Sequence, residues 1–527
     1  MDQEVTNFTN TRQADGFGNP SGAEVVIIGG GLAGLTAALH LAERGLKPLV
    51  LEANARYLGG RIAGGDTVEF EHGGQTWRFR GEHGVHGIWS PYRNLQAMLT
   101  RHNLRPTLVP AQDENWIYRY ADGHVKMAAV GSALRNSWIP APLHYLALFF
   151  RPRFLNMLSA NDWLSLFEVW YGLVIAIGVD PLREDQPLTD AWLDELVRHW
   201  SPTLRAFMIG LTRNGLSAQP AEIPLSGYIA FMRFYTLLRR DTWAFSYLPA
   251  DGGTSLIEPL ADRLRQLGGS IELGAAVDQI DRSNDQWIVH SAIGSFTARS
   301  IILATDAPHT QSILNASTVT APIAQDLYFP RGMPTAVLRF WYDRLPDSKV
   351  EAGIFSGEMI VDNYFWLHRL QDQYIRWSKA TGGSAIEVHI YGPPEVLEQA
   401  DAVLLARAAA DVQSAFPELR GHLTQQVLQR NEATHTLFGL GPADQHLGIV
   451  TPWPDVFCCG DWVRHPTPAF FLERACVTGI EAANAVLKSR ELTTWPLLSY
   501  PKPEWPARLI EKLMHGGRRT LRKTRKA

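Results

Sequence analysis

The chain has 527 residues, 46% of them hydrophobic and 19% charged, enough for two or more domains with large cores. A net charge of −4 gives no basic footprint and argues against a nucleic-acid partner. The only cysteines are Cys458, Cys459 and Cys476, two of them adjacent in an apolar run; this suits buried small side chains better than a disulfide framework and points to a reducing compartment.

Residues 1–22 are polar and lack the basic-then-apolar order of a signal peptide, so a disordered lead-in is expected there. Order begins with EVVIIGGGLAGLTAALHLAERGLKPLVLE, residues 24–52. The β-branched run Val25 to Ile28, the glycines Gly29, Gly31 and Gly34, the helical spacing of Leu35, Ala38, Leu39 and Ala42, and a second apolar run ending at Glu52 spell a βαβ unit with a dinucleotide fingerprint. Gly29 turns the chain out of the strand, Gly31 lets backbone approach a pyrophosphate, and Gly34 allows helix and sheet to pack closely. The helix N-terminus offers N–H groups to the diphosphate, and Glu52 can accept from ribose hydroxyls. An acid there repels a 2′-phosphate, so the pattern reads FAD or NAD rather than NADP. Gly59-Gly60-Arg61, just beyond the second strand, adds backbone N–H groups and a cation beside the same pyrophosphate.

Residues 67–86 are expected to form a hairpin that turns at HGGQT. Its second arm ends in Glu82-His83-Gly84-Val85-His86-Gly87, with Tyr92 and Asn94-Leu95 following. This segment resembles the acid-x-Gly-x-His and Tyr-x-Asn motifs of carotenoid desaturases, members of the wider flavin amine oxidase superfamily. The resemblance extends from residue 23 to 488. PADGGTSLIEPLADRLRQLGGSIEL is similar to the glycine turn, helix and strand beside the cofactor, and Ala298 to Asp306 to the third nucleotide-domain strand. Gly460-Asp461 and Glu473-x-Ala475-x-x-Thr478-Gly479 resemble the C-terminal signature, with Arg474 where glycine is common.

The resemblance implies an α/β fold: a discontinuous, Rossmann-like FAD-binding domain of the glutathione-reductase type, over 23–135, 250–324 and 446–490, with an inserted α+β substrate domain over 136–249 and 325–445. It implies FAD, held by Gly29, Gly31, Leu32, Ala33, Gly34, Glu52, Ala53, Gly59, Gly60, Arg61, Val277, Gly460, Asp461, Glu473 and Ala475, with His86 at the reacting ring and no metal. Val277 would meet the adenine through its backbone. The substrate would be an apolar isoprenoid or carotenoid-type molecule, which lacks a charged handle and is desaturated, isomerised or ring-modified by hydride or electron transfer to FAD. The Glu473-Arg474-Ala475 run also resembles enzymes that aromatise carotenoid end rings. Two alternatives stay open: a flavin-dependent amine oxidase, disfavoured by the lack of any lysine between Lys126 and Lys349, and a non-catalytic lipid-binding flavoprotein.

Two stretches bear on location. Residues 138–179 are apolar and aromatic but interrupted by Arg151, Arg153, Asp162 and Glu168, so they do not read as a membrane span; they suit a bilayer interface, the roof of an apolar tunnel, or a buried helical core. Residues 491–527 end in a basic tail with Arg518, Arg519, Arg522, Lys523, Arg525 and Lys526, which can hold a protein to an anionic membrane surface. A cytoplasmic protein, peripheral on the inner face of the membrane, is expected; the oligomeric state is not legible.

Overall fold

The computed structural model describes residues 23–182, 191–439 and 445–524. The expected lead-in, 1–22, lies outside them. The strand Ala23–Ile28 occupies the middle of a sheet, every residue from Val25 onward buried, because an apolar β-branched run can be covered on both faces. Pro48–Leu51 and Ser270–Glu272 extend the sheet on one side, and Gly294–Leu303 and Val456–Cys458 on the other, all in parallel. The helix Leu32–Ala42 crosses between the first two strands and is buried along its whole length, between the sheet and the long helix Phe471–Ser489. Two further strands, Val277–Ser283 and Gln286–Ser291, form a meander with Gly294–Leu303. Between the last two, Ala292 and Ile293 make a tight turn, and the Gly294 backbone at φ 131° starts the next strand.

A second seven-stranded sheet has the order Leu423–Thr436, Gly332–Tyr342, Ser384–Ile390, Asn363–Trp366, Ala352–Gly357, Glu114–Arg119, Val125–Ala129. Its last two strands correct the expected boundary at 135. Residues 114–129 leave the nucleotide unit because ENWIYR buries four successive residues against the strand Ala352–Gly357, which pairs with it in parallel.

Helices Ala160–Gly178, Pro202–Leu216 and Leu225–Met232 form a cap. The first is not the buried core that its apolar content allows. Leu164 is 79% exposed and Phe167 76%, with Trp163, Trp170 and Tyr171 also exposed. The C-terminal segment is likewise more ordered than a solvated tail. Trp505–Thr524 is a helix whose Met514 packs on Gly178 and whose Glu511 pairs with the buried Arg233.

Candidate functional site

One end of the candidate site is built by Gly29 to Gly34. Gly29 has φ 112°, and a Cβ on it would sit 2.8 Å from the Ala304 carbonyl oxygen. A Cβ on Gly34 would lie 2.0 Å from the Gly29 carbonyl oxygen, so only glycine lets the helix start this close to the strand. Space above Gly31 is open, its nearest neighbour being the Gly59 carbonyl oxygen at 3.9 Å. Leu32 and Ala33 open the helix, which has no side-chain cap and no acid in its first turn although this end is buried. Such an end leaves N–H donors for an anion. Glu52 closes the other side. Its carboxylate accepts from Gly30 N–H and Asn54 N–H, both at 2.8 Å, and burial raises its pKa against the pull of those donors. Ala53 follows it, and Ala275 N–H donates to the Glu52 carbonyl at 2.8 Å, tying in the turn that leads to Val277.

Gly59 N–H donates to the Gly30 carbonyl, and Gly60 opens a short turn through Arg61. Arg61 reaches across 400 residues to Asp461, Nη2 to Oδ1 2.5 Å. Burial opposes ionisation of Asp461, but the Arg61 guanidinium outweighs it and holds the carboxyl below its usual range. Thr436 Oγ1 donates to the same oxygen at 3.2 Å. Gly460 is fixed by Thr478, whose Oγ1 accepts from Gly460 N–H at 3.0 Å.

The two arms of the hairpin are Gly64–His72 and Gln75–Glu82, turning at Gly73–Gly74 as its sequence predicts, and the second arm delivers His83 and His86 beside Arg61 and His435. Burial lowers His86 to about 4 and His83 well below its ordinary value, so both rings are neutral at pH 7. His83 Nε2 and His86 Nδ1 are buried with no hydrogen-bond partner. Buried polar atoms are rarely left unpaired, so two orphans beside Arg61 and Asp461 fit a polar ligand lying there. Phe470 and Phe471 wall the same place, their rings meeting Phe231 and Tyr235, and Phe471 also faces His435.

Glu473 and Ala475, named from their motif, lie on the helix behind this wall. Glu473 is fully buried, and its oxygens accept from Asn94 N–H, Asn94 Nδ2, Leu95 N–H and Tyr500 Oη at 2.9–3.1 Å. Its carboxylate therefore caps the helix Arg93–Arg101, which explains the Asn94-Leu95 motif as one half of a clamp.

Three residues beneath His83 and His86 escaped the motif reading. Arg339 and Glu387 face one another in register on the second sheet, with Arg339 Nε to Glu387 Oε2 at 2.7 Å. Glu387 Oε1 also accepts from Val85 N–H and from His389 Nε2, both at 2.8 Å. Glu82 lies on the other side of Arg339, 3.8 Å away, and receives Gln371 Nε2 at 2.6 Å. Burial and the neighbouring Glu387 charge push Glu82 up to about 8; Glu387, despite its own burial, is held near 2 by Arg339 and His389. One carboxyl is thus protonated and one charged around a single guanidinium. The signal was a charge at an inward position of an apolar strand, in TAVLRFWYD and in SAIEVHIYG. No group of three or more potential metal ligands is found among the described residues.

The family model for flavin-containing amine oxidoreductases matches residues 32–487. Carotenoid phi-ring synthase of Streptomyces griseus is 26% identical over 89% of both chains, and 15-cis-phytoene desaturase of Narcissus pseudonarcissus is 22% identical over 75% of this chain and 66% of its own. Carotenoid phi-ring synthase of Chlorobaculum tepidum is 30% identical over 171 residues, 32% of this chain and about a quarter of that protein's length. Among solved structures, cyclohexylamine oxidase of Brevibacterium oxydans superposes with a TM-score of 0.62 at 17% identity, covering 89% of this chain and all of its own. The matched span takes in the Gly34 cradle, the Arg61–Asp461 pair and the Glu473 clamp; this chain belongs to the flavin-containing amine oxidoreductase family.

Proposed function

We propose that the chain is an FAD-dependent oxidoreductase acting on a carotenoid-type polyene, with modification of an end ring as its reaction class. The observation that carries this reading is the match over 89% of both chains to a carotenoid phi-ring synthase, together with the aromatic wall of Phe231, Tyr235, Phe470 and Phe471, which suits an apolar substrate. The five parallel strands with the helix Leu32–Ala42 in their crossover support a discontinuous Rossmann-like domain of the glutathione-reductase type, and the uncapped helix end and Glu52 support FAD. When bound, the flavin supplies the two-electron oxidation. The protein's part is to hold, orient and keep dry. Arg61, Asp461 and the backbone of Gly29 to Gly34 would hold the dinucleotide; Phe231, Tyr235, Phe470 and Phe471 would press an apolar ring against it and exclude water. A carbon–hydrogen pair that loses a hydride also releases a proton, and the neutral imidazole of His86 or His83, with a free ring nitrogen, can take it up.

The alternative of amine oxidation is disfavoured at one position. The superfamily's lysine is expected near the start of the strand Gly332–Tyr342; there this chain has buried Thr335, whose Oγ1 accepts from Asn431 Nδ2 at 3.0 Å.

The same reading includes docking to an anionic membrane. Trp138, Phe150, Leu164, Phe167, Trp505 and Leu513 are all more than half exposed, Arg151 and Arg153 are exposed beside them, and the helix that carries Leu513 continues into Arg518, Arg519, Arg522 and Lys523. Among the described residues no helix is long and apolar enough to cross a membrane, so the proposed mode is interfacial. A polyene dissolved in the bilayer then reaches the site without crossing water.

Purified protein extracted with organic solvent tests the reading. Equimolar FAD together with a co-purifying carotenoid or other polyene is expected from a carotenoid-producing host; FAD with no affinity for added polyenes, and peroxide release with amines, would replace it with the amine oxidase.

A further inference from the structure

Glu387 and His389, on the strand Ser384–Ile390, and Tyr391 just past its end alternate along the chain, so their side chains share one face of the second sheet. That face is turned toward the loop Gly84–His86: Glu387 Oε1 accepts from Val85 N–H at 2.8 Å, and a Cβ on Gly84 would lie 2.8 Å from His389 Cε1. The three side chains form a line. His389 Nε2 meets Glu387 Oε1 and His389 Nδ1 meets the Tyr391 hydroxyl, both at 2.8 Å. Glu387 also takes Arg339 Nε and so acts as acceptor only; this assigns the His389 proton to Nε2 and leaves Nδ1 to accept from Tyr391. Asn363 Nδ2 donates to the same hydroxyl at 3.3 Å, which fits that direction. A carboxylate that orients an imidazole, which in turn accepts from a hydroxyl, is the arrangement that lets a hydroxyl act as a base.

Its place matters as much as its order. Ala336 pairs with Ile390, so the register sets Tyr391 beside Thr335, where the superfamily's lysine is expected. On the other side of Thr335 stands Asn431, whose Nδ2 donates to Thr335 Oγ1 and to the His83 carbonyl. Tyr391 N–H donates to Asp362 Oδ2 at 2.7 Å, and Arg213 holds that carboxylate from outside at 3.3 Å. Tyr391 is half-buried, and Asn363 leads on from it to the exposed Asn214. Burial raises the Tyr391 hydroxyl above its usual range, so at rest it is a neutral phenol.

We infer that Tyr391 is a second proton acceptor of the proposed oxidation, beside His86, with His389 and Glu387 as its positioning residues. The inference rests on the end-ring reading. Turning a ring with one double bond into an aromatic ring removes two hydrogen pairs, each as a hydride to flavin and a proton from the neighbouring carbon, so protons leave from more than one place. At Tyr391 the carbon–hydrogen bond breaks and its electrons close the new double bond as the hydride departs; the proton joins Tyr391 Oη while the phenol's own proton passes to His389 Nδ1. The imidazolium so formed faces Glu387, and its extra proton returns through Tyr391 to water at the rim as product leaves.

Flavin-loaded wild type, Tyr391→Phe, His389→Gln and the double variant are turned over with a carotene bearing cyclic end rings, in anionic vesicles, with dichlorophenolindophenol as electron acceptor. Products are weighed by mass spectrometry, and carotene affinity, flavin content and thermal midpoint are measured beside them. Wild type is expected to give a ring lighter by two hydrogen pairs. Tyr391→Phe should make it at least about a hundredfold more slowly, the lower end for a lost proton acceptor, and leave the ring unoxidised or one double bond short, with carotene affinity and flavin content within about threefold. His389→Gln should behave alike, and the double variant should be no more than about threefold slower than the slower single, because groups that act as a unit are not additive. Aromatic product from Tyr391→Phe at the wild-type rate overturns the inference, as does a double variant in which the two losses multiply, or a wild type that itself stops at one new double bond. If Tyr391→Phe does not retain flavin, His389→Gln decides by the same measures. A wild type that binds carotene and oxidises none instead contradicts the end-ring reading.

Discussion

Arg339 shows how the site is held from below. It is the one cation between Glu82 and Glu387, and all three are at most 3% exposed. Removing it strands a charged carboxylate in the core, which costs about 3–5 kcal/mol, whereas neutralising Glu387 leaves Arg339 with other acceptors, among them the Arg80 carbonyl at 2.9 Å. Arg339→Met is therefore expected to lose several degrees more in thermal midpoint than Glu387→Gln, measured by calorimetry on the flavin-loaded protein. His86 makes a contrasting prediction. Its ring is neutral and its Nδ1 has no partner, so His86→Ala should keep the fold and the bound flavin and slow flavin reduction by substrate about a hundredfold or more, the lower end of the range for a lost proton acceptor. Unchanged turnover would remove the assigned role. Gly34 and Glu52 could be named from spacing, Arg61 from its place after the second strand and Asp461 from its resemblance to a signature, because the proposed phosphate and ribose recognition calls for such residue types in such places. Arg339, Glu387 and His389 could not, because a buried charge in a strand is recognisable only once its partner, 48 residues away for Arg339 and Glu387, is known to lie opposite.

At the scale of elements, the parallel strands and the helix Leu32–Ala42 were legible because apolar runs, glycines and an acid repeat a known unit. The hairpin of residues 64–82 was legible from its alternation and its Gly73–Gly74 turn. Residues 114–129 were not, since nothing local says which of two sheets an apolar strand will join. The helix Ala160–Gly178 was ambiguous for another reason: an all-round apolar helix can be core or interface, and only its neighbours decide. Here Gly178 packs on Met514, while Leu164 and Phe167 face outward. Replacing Leu164 and Phe167 by glutamate should leave the thermal midpoint within about 1 °C, because surface changes of this kind cost little. It should weaken co-sedimentation with vesicles containing anionic lipid by about tenfold or more. Wild-type binding should also fall as salt is raised, since each basic residue near the surface contributes about 1 kcal/mol through a screened attraction. Salt-independent binding, or none, would contradict the interfacial role.

The whole molecule carries an acid sensitivity built from its histidines. His40, His86, His144, His368, His435 and His465 are each lowered to about 4, burial being the largest cause at every one. Unfolded histidines titrate near 6.5, so between about pH 6.5 and 4 the unfolded chain binds more protons than the native one, and stability must fall as pH falls. Above pH 6.5 these groups are neutral in both states and contribute no slope. The thermal midpoint is expected to drop below pH 6.5, with net uptake of protons on unfolding at pH 5.5, and to decline gently from pH 7 to 8, where Glu82, raised to about 8, gives up the proton that only the native state still holds; a midpoint that holds to pH 4.5 would contradict this burial. The same architecture carries the Gly29–Gly34 turn, the Arg61–Asp461 pair and the aromatic wall of Phe231, Tyr235, Phe470 and Phe471, the parts of the proposed cleft, and turns Leu164 and Phe167 outward. The claim at the centre is that this cleft passes electrons from a polyene to flavin. Anaerobic mixing of the flavin-loaded protein with carotenoids in anionic vesicles tests it most directly: the account predicts that the yellow flavin absorbance bleaches as the polyene is oxidised, and binding of carotenoid with no bleaching would contradict it.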